Sequence, residues 1–124
     1  MTLQGPDTDL TGAIIGCAFR VHAELGSGFL EKVYENALMH ELTKSGIQAE
    51  AQHPIQVFYD GISVGEYFAD ILVADRVIVE LKACKALEES HTAQTLHYLK
   101  ATKRHTALLL NFGTQSLDVK RLVR

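Results

Sequence analysis

"FADILVADRVIVELKA", Phe68 to Ala83, decides how the rest of the chain is read. Its two apolar runs are rich in β-branched residues and flank Ala74-Asp75-Arg76, the pattern of two strands around a turn. Three charged residues interrupt them: Asp70, Glu80 and Lys82. A charge inside an apolar strand is costly unless it is paired or bound to a metal. Asp70 lies five residues before Asp75 and Glu80 five after it. In a hairpin such positions meet across the strands, so the acids are expected to converge. Glu80 and Lys82 are two apart and share a face, while Val77, Val79 and Leu81 point the other way.

Two carboxylates beside a lysine suit metal-assisted hydrolysis of a phosphate ester. The acids can hold a hard divalent cation such as Mg²⁺, and the lysine can position water and stabilise developing negative charge. A cross-strand ion-pair network, Lys82 with Glu80 or Asp70, explains the same charges. The residues alone leave these two readings level.

Outward from this hairpin, the hydrophobic period assigns the other elements. Leu10, Ile14, Cys17, Ala18, Val21 and Leu25 recur at helical spacing. "ELGSGF" breaks that pattern, and a second helix is expected from about Leu30 to Lys44, with Gly46 at its end. The period then changes to two. Residues 47–52 and 55–59 read as strand interrupted by Pro54, and Asp60-Gly61 signals a hairpin turn. "ISVGEYFADILVA" continues as strand, with a bulge or bend expected at Gly65. Residues 87–103 read as a helix, "TALLLNF" (106–112) as a buried strand, and 116–123 as a last strand. Two helices, a meander, a helix and further strands predict a mixed α/β (α+β) layer.

The chain has 124 residues, of which 47% are hydrophobic, which fits one domain over 1–124 with a loose tail at 1–7. No apolar run reaches the length of a membrane span, and no export signal is visible, so a cytoplasmic protein is expected. Cys17 and Cys84 are isolated, as reduced packed thiols would be. Net charge is -3, but its distribution is uneven: residues 1–81 hold 4 Lys/Arg against 12 Asp/Glu, and residues 82–124 hold 8 against 3. Lys100, Lys103, Arg104, Lys120, Arg121 and Arg124 could meet phosphates or form an ordinary solvated face. None of the six histidines has ligand spacing, and no phosphate loop, nucleophile elbow or dinucleotide fingerprint is present.

Asp70 followed by Glu80-Leu81-Lys82 resembles the core motif of the PD-(D/E)XK nuclease superfamily, and the order of helix, three strands, helix and strand resembles its core. "GFLEKVY", Gly28 to Tyr34, is similar to the signature of the bacterial GxxExxY family, usually placed in that superfamily. Ala69 stands where the motif often has proline. The resemblance implies a restriction-endonuclease-like core, with helices flanking a central mixed β-sheet. It implies Mg²⁺ or Mn²⁺ held by Asp70, Glu80, the Leu81 backbone carbonyl and Glu31, with Lys82 as the catalytic lysine.

Tyr34 lies one turn beyond Glu31, as a substrate contact or as core packing. Gln94 and Tyr98, four apart on the third helix, resemble a substrate-side motif of exonuclease-like branches. The implied function is a divalent-metal-dependent nuclease acting on DNA or RNA; a non-catalytic binding or scaffold module on the same fold is the alternative. The overall acidity opposes tight sequence-independent binding by a monomer, a difficulty that a homodimer or a substrate-delivering partner protein would relieve.

Overall fold

The structure, a computed structural model, describes residues 7–124. The tail expected over residues 1–7 lies outside the described residues apart from Asp7. Eight elements follow one another: α1 (Thr8–Leu25), α2 (Glu31–Lys44), β1 (Ala49–Tyr59), β2 (Ile62–Val73), β3 (Val77–Lys82), α3 (Glu89–Thr102), β4 (Thr106–Asn111) and β5 (Asp118–Val123). The strands form one sheet in the order β1-β2-β3-β4-β5. Only β3 and β4 run parallel, because α3 carries the chain between them; the other neighbours are antiparallel.

Alternation along the central strands sends apolar side chains to both faces. Val77, Val79, Leu81, Leu108 and Leu110 pack with Ile14, Val21, Leu38 and Leu42 of α1 and α2. On the opposite face Ile78 and Ala107 pack with Tyr98 and Leu99 of α3. Both faces of β3 are thus covered, which explains why its sequence is nearly all apolar. Each fully buried leucine or isoleucine of this core contributes about 1.5–3 kcal/mol.

Tight turns build both hairpins, two residues long at Asp60-Gly61 and three residues long at Ala74-Asp75-Arg76. Asp60 and Gly61 have φ of 55° and 76°, and Ala74 and Asp75 have φ of 52° and 58°. Left-handed pairs of this kind match the twist of the strands they join. The register shifts between Val57 and Phe58, opposite Gly65 and Ser63, so the irregularity expected near Gly65 is a bulge that takes in Val64. Pro54 does not interrupt β1, contrary to expectation. β1 is an edge strand, where proline is tolerated because one side of the strand needs no donor.

Candidate metal centre

The register of the β2–β3 hairpin pairs Val73 with Val77, Leu72 with Ile78 and Ile71 with Val79. The next pair in that register would be Asp70 and Glu80, and there the ladder stops. The acids do not face each other as an ordinary cross-strand pair, as the symmetry about Asp75 suggested. Instead the Asp70 N–H donates to Glu80 Oε2 and the Leu81 N–H donates to Asp70 Oδ2, each at 2.8 Å. The strands fork, and the two carboxylates occupy the fork.

A turnover in β2 and β1 makes the fork. Tyr67 and Ala69 lie on the α3 side, whereas Ile71 and Val73 lie on the α1–α2 side. All four are odd-numbered, so strict alternation would put them on one face. Across the ladder, Ile55 lies on the α3 side and Ala49 on the other. Between them Gln52 has φ of 55°, a left-handed conformation rare for a non-glycine residue. The ladder pairs Ala51 with Ile71 and His53 with Ala69, and the faces exchange at Gln52 and Asp70. This local reversal brings Asp70 out of the ladder and toward Glu80.

The electrostatics follow from burial. Glu80 is only 3% exposed. Burial, and next the charge of Asp70, push its carboxyl up to about 8. Burial likewise raises Asp70, opposed by the bond from the Leu81 N–H and reinforced by the charge of Glu35. Asp70 Oδ1 and Glu80 Oε1 accept no hydrogen bond among the described residues. Lys82 is half-buried, and its charge favours ionisation of both acids. It forms no salt bridge among the described residues. The ion-pair network that could have explained these charges is therefore not the arrangement adopted.

The other expected site residues are placed differently. Glu31 is the exposed first residue of α2, and its negative charge reaches both Asp70 and Glu80. Among the described residues no three His, Cys, Asp or Glu side chains group as a metal cage. Tyr34 is fully buried and stacks on Phe112 at a ring separation of 4.6 Å. Its hydroxyl donates to the Gly26 carbonyl at 2.6 Å and accepts from the Phe29 N–H at 3.2 Å. Tyr34 thus ties the α1–α2 loop that launches Glu31, and Gly28 in that loop has φ of 115°. Tyr98 packs with Ala69 and Ile78, beside the acids, and burial followed by the charges of Glu80 and Asp70 raises its phenol. Gln94 is exposed one turn before it.

Sequence reasoning missed Glu35 and Asn111. Glu35 is 5% exposed, bound by Lys32 Nζ at 2.7 Å and by Gln52 Nε2 at 2.8 Å, and it adds negative charge near Asp70. Asn111 is fully buried where the chain leaves β3: its Oδ1 accepts the Cys84 and Gly113 N–H groups, and its Nδ2 donates to the Cys84 carbonyl.

The donor set fits a hard divalent cation. Two carboxyl oxygens accept no hydrogen bond among the described residues, and the charge of Asp70 opposes ionisation of Glu80. Such a pair is stabilised by a cation with oxygen preference that keeps part of its own hydration.

A family model described as the PD-(D/E)XK nuclease superfamily matches residues 8–122. No curated relative and no solved structure matches significantly. No described helix is long and apolar enough to cross a membrane. The five-stranded mixed sheet with helices on both faces is consistent with a restriction-endonuclease-like fold. The chain belongs to the PD-(D/E)XK nuclease superfamily.

Proposed function

We propose that this member of the PD-(D/E)XK nuclease superfamily is a divalent-metal-dependent phosphodiesterase acting on DNA or RNA. The fork carries the proposal: among the described residues two carboxyl oxygens, Asp70 Oδ1 and Glu80 Oε1, accept no hydrogen bond, and Lys82, whose charge acts on both acids, forms no salt bridge. Asp70, Glu80 and the Leu81 carbonyl would hold Mg²⁺ or Mn²⁺, with Glu31 at the rim. When bound, the ion supplies Lewis-acid charge neutralisation and a more acidic water. Lys82 would orient the attacking water and stabilise negative charge gathering on the phosphoryl oxygens. Gln94 and Tyr98 would contact the substrate strand. A cytoplasmic location, and a homodimer or delivering partner protein, belong to the same reading.

One observation favours a non-catalytic binding module on this fold: among the described residues no three metal-ligating side chains group as a cage. Calorimetric Mn²⁺ titration separates the two readings. Asp70→Asn is the control, because its amide oxygen can still accept the Leu81 N–H. Binding to wild type that Asp70→Asn abolishes, with strand cleavage that depends on Lys82, supports the nuclease. Absence of Mn²⁺ binding by wild type, with and without an oligonucleotide, supports the binding module.

A further inference from the structure

A groove of about 870 Å³ runs between the β1–β2 hairpin arm and α3. It is lined by Phe58 and Tyr67 from the arm, by Gln94, Tyr98 and Lys100 from α3 and by Lys103 just after it, among others. Two features of its lining point to a ligand. First, its lining holds two lysines and no aspartate or glutamate, although the protein carries a net charge of -3. Secondly, its aromatic rings are left open: Phe58 is 61% exposed and Tyr67 48%. Tyr67 leans on Tyr98 with ring centroids 5.8 Å apart, so the rings form a ladder leading inward. The inner end lies near the acids: Tyr98 shares a buried cluster with Ala69, the residue before Asp70, and the charges of Glu80 and Asp70 act on its phenol.

We propose that this groove seats an unpaired nucleic-acid strand, stacking bases on Phe58 and Tyr67 and binding phosphates through Lys100 and Lys103. The inference rests on the phosphodiesterase reading and narrows its substrate to single strands. Cationic side chains interleaved with exposed aromatics make a surface for a charged backbone carrying flat bases. In a duplex the base faces are hidden in the stack, so rings on a groove wall reach them only in an unpaired strand. The arrangement also delivers the strand: the lysines hold phosphates at the outer end, and the Tyr98 end leads to the fork.

The test is fluorescence anisotropy with a labelled oligo-dT strand and a labelled duplex in EDTA, where no metal or cleavage enters. Wild type is expected to bind the strand more tightly than the duplex. Lys100→Gln with Lys103→Asn should reduce the salt slope by about 1.4, since each single-strand phosphate contact contributes about 0.7. Asn is chosen at 103 because that residue has φ of 58°. Phe58→Ala should weaken strand binding by about fivefold or more, the value of one lost stacking contact. Asp70→Asn should keep strand binding, so loss of the metal centre and loss of the groove give different results. Equal binding of duplex, or an unchanged salt slope in the lysine variant, overturns the proposal. So does a Phe58→Ala protein that binds the strand like wild type but loses a dimer seen by sedimentation; the arm then covers a second copy.

Discussion

Asp70 and Glu80 each hold the other's strand: the Asp70 carboxylate takes the N–H of Leu81, and the Glu80 carboxylate takes the N–H of Asp70. Side chains thus stand in for the ladder bonds that the fork gives up. The same atoms that end the β2–β3 pairing present the two remaining oxygens. Site and sheet are therefore one structure, and removing either acid leaves a main-chain N–H without its acceptor. Amide replacements keep that acceptor and remove only the charge, which makes them the informative variants.

Stability should fall as pH rises through neutrality when divalent metal is absent. Glu80 has its pKa raised from 4.5 to about 8 by burial first and by Asp70 next, and Asp70 is also raised. A group with a higher pKa in the folded chain holds its proton more firmly there. Its contribution is full below the unfolded value and is lost as pH climbs through the folded one. Melting in EDTA should lose on the order of 1–3 kcal/mol between about pH 5 and pH 8.5. Glu80→Gln should flatten that slope, and so should excess Mg²⁺. A melting temperature that rises over the same interval would contradict the burial of this carboxyl.

Metal binding should release protons near neutrality. With Glu80 up at about 8, the metal-free fork carries a proton at pH 7 that a cation must displace. Calorimetric titration of Mn²⁺ at pH 7, in buffers of different ionisation enthalpy, should report close to one proton released. The apparent affinity should rise about tenfold per pH unit up to the Glu80 value. Glu80→Gln should weaken binding and remove the buffer dependence together. An affinity independent of pH would mean that the cation binds elsewhere.

Lys82→Ala should separate chemistry from metal binding. Lys82 shares the face of Glu80 but makes no salt bridge among the described residues, so its loss removes no ion pair that holds the fork. Mn²⁺ affinity should stay the same or tighten slightly, because a nearby positive charge is gone. Strand cleavage should drop about 100-fold or more, the usual cost of removing a group that stabilises transition-state charge. Equal cleavage by Lys82→Ala and wild type would remove Lys82 from the mechanism.

The hairpin register was legible because a turn at Asp75 places Ile71, Leu72 and Val73 opposite Val79, Ile78 and Val77. Alternation in "VIVELK" correctly sent Val77, Val79 and Leu81 to one side. The fork was not legible. It depends on the left-handed turn of Gln52, which nothing in "AEAQHP" announces, since glutamine is not a residue that favours that conformation. Glu35 was missed for a related reason. On the helix it reads as a solvated charge between Tyr34 and Asn36, and only the approach of Gln52 makes it a buried acid near Asp70. Tyr34 shows the opposite limit: its spacing from Glu31 was visible, but only the packing against Phe112 reveals where its ring goes.

Asn111 should prove to be a positioning residue for Lys82. It ends "TALLLN", a buried strand in which an amide has no apolar role, and its three hydrogen bonds fasten Cys84 and Gly113. The Phe112 N–H donates to the Lys82 carbonyl at 2.8 Å, so the same segment grips the end of β3. Packing there is close: a Cβ on Gly113 would come within 2.4 Å of the Cys84 main chain. Asn111→Ala would leave two N–H groups and a carbonyl, all partly buried, without these partners, a loss of about 1–3 kcal/mol. Asn111→Asp keeps the acceptor for both N–H groups but turns an oxygen toward the Cys84 carbonyl, so its stability should fall between alanine and wild type. Under conditions where both variants remain folded, kcat should fall more than KM rises, because Lys82 is loosened while the groove is intact. Mn²⁺ affinity should change little, since Asp70 and Glu80 are fastened by their own bonds across the fork. Equal losses in kcat and in metal affinity would instead make Asn111 a general support of the sheet.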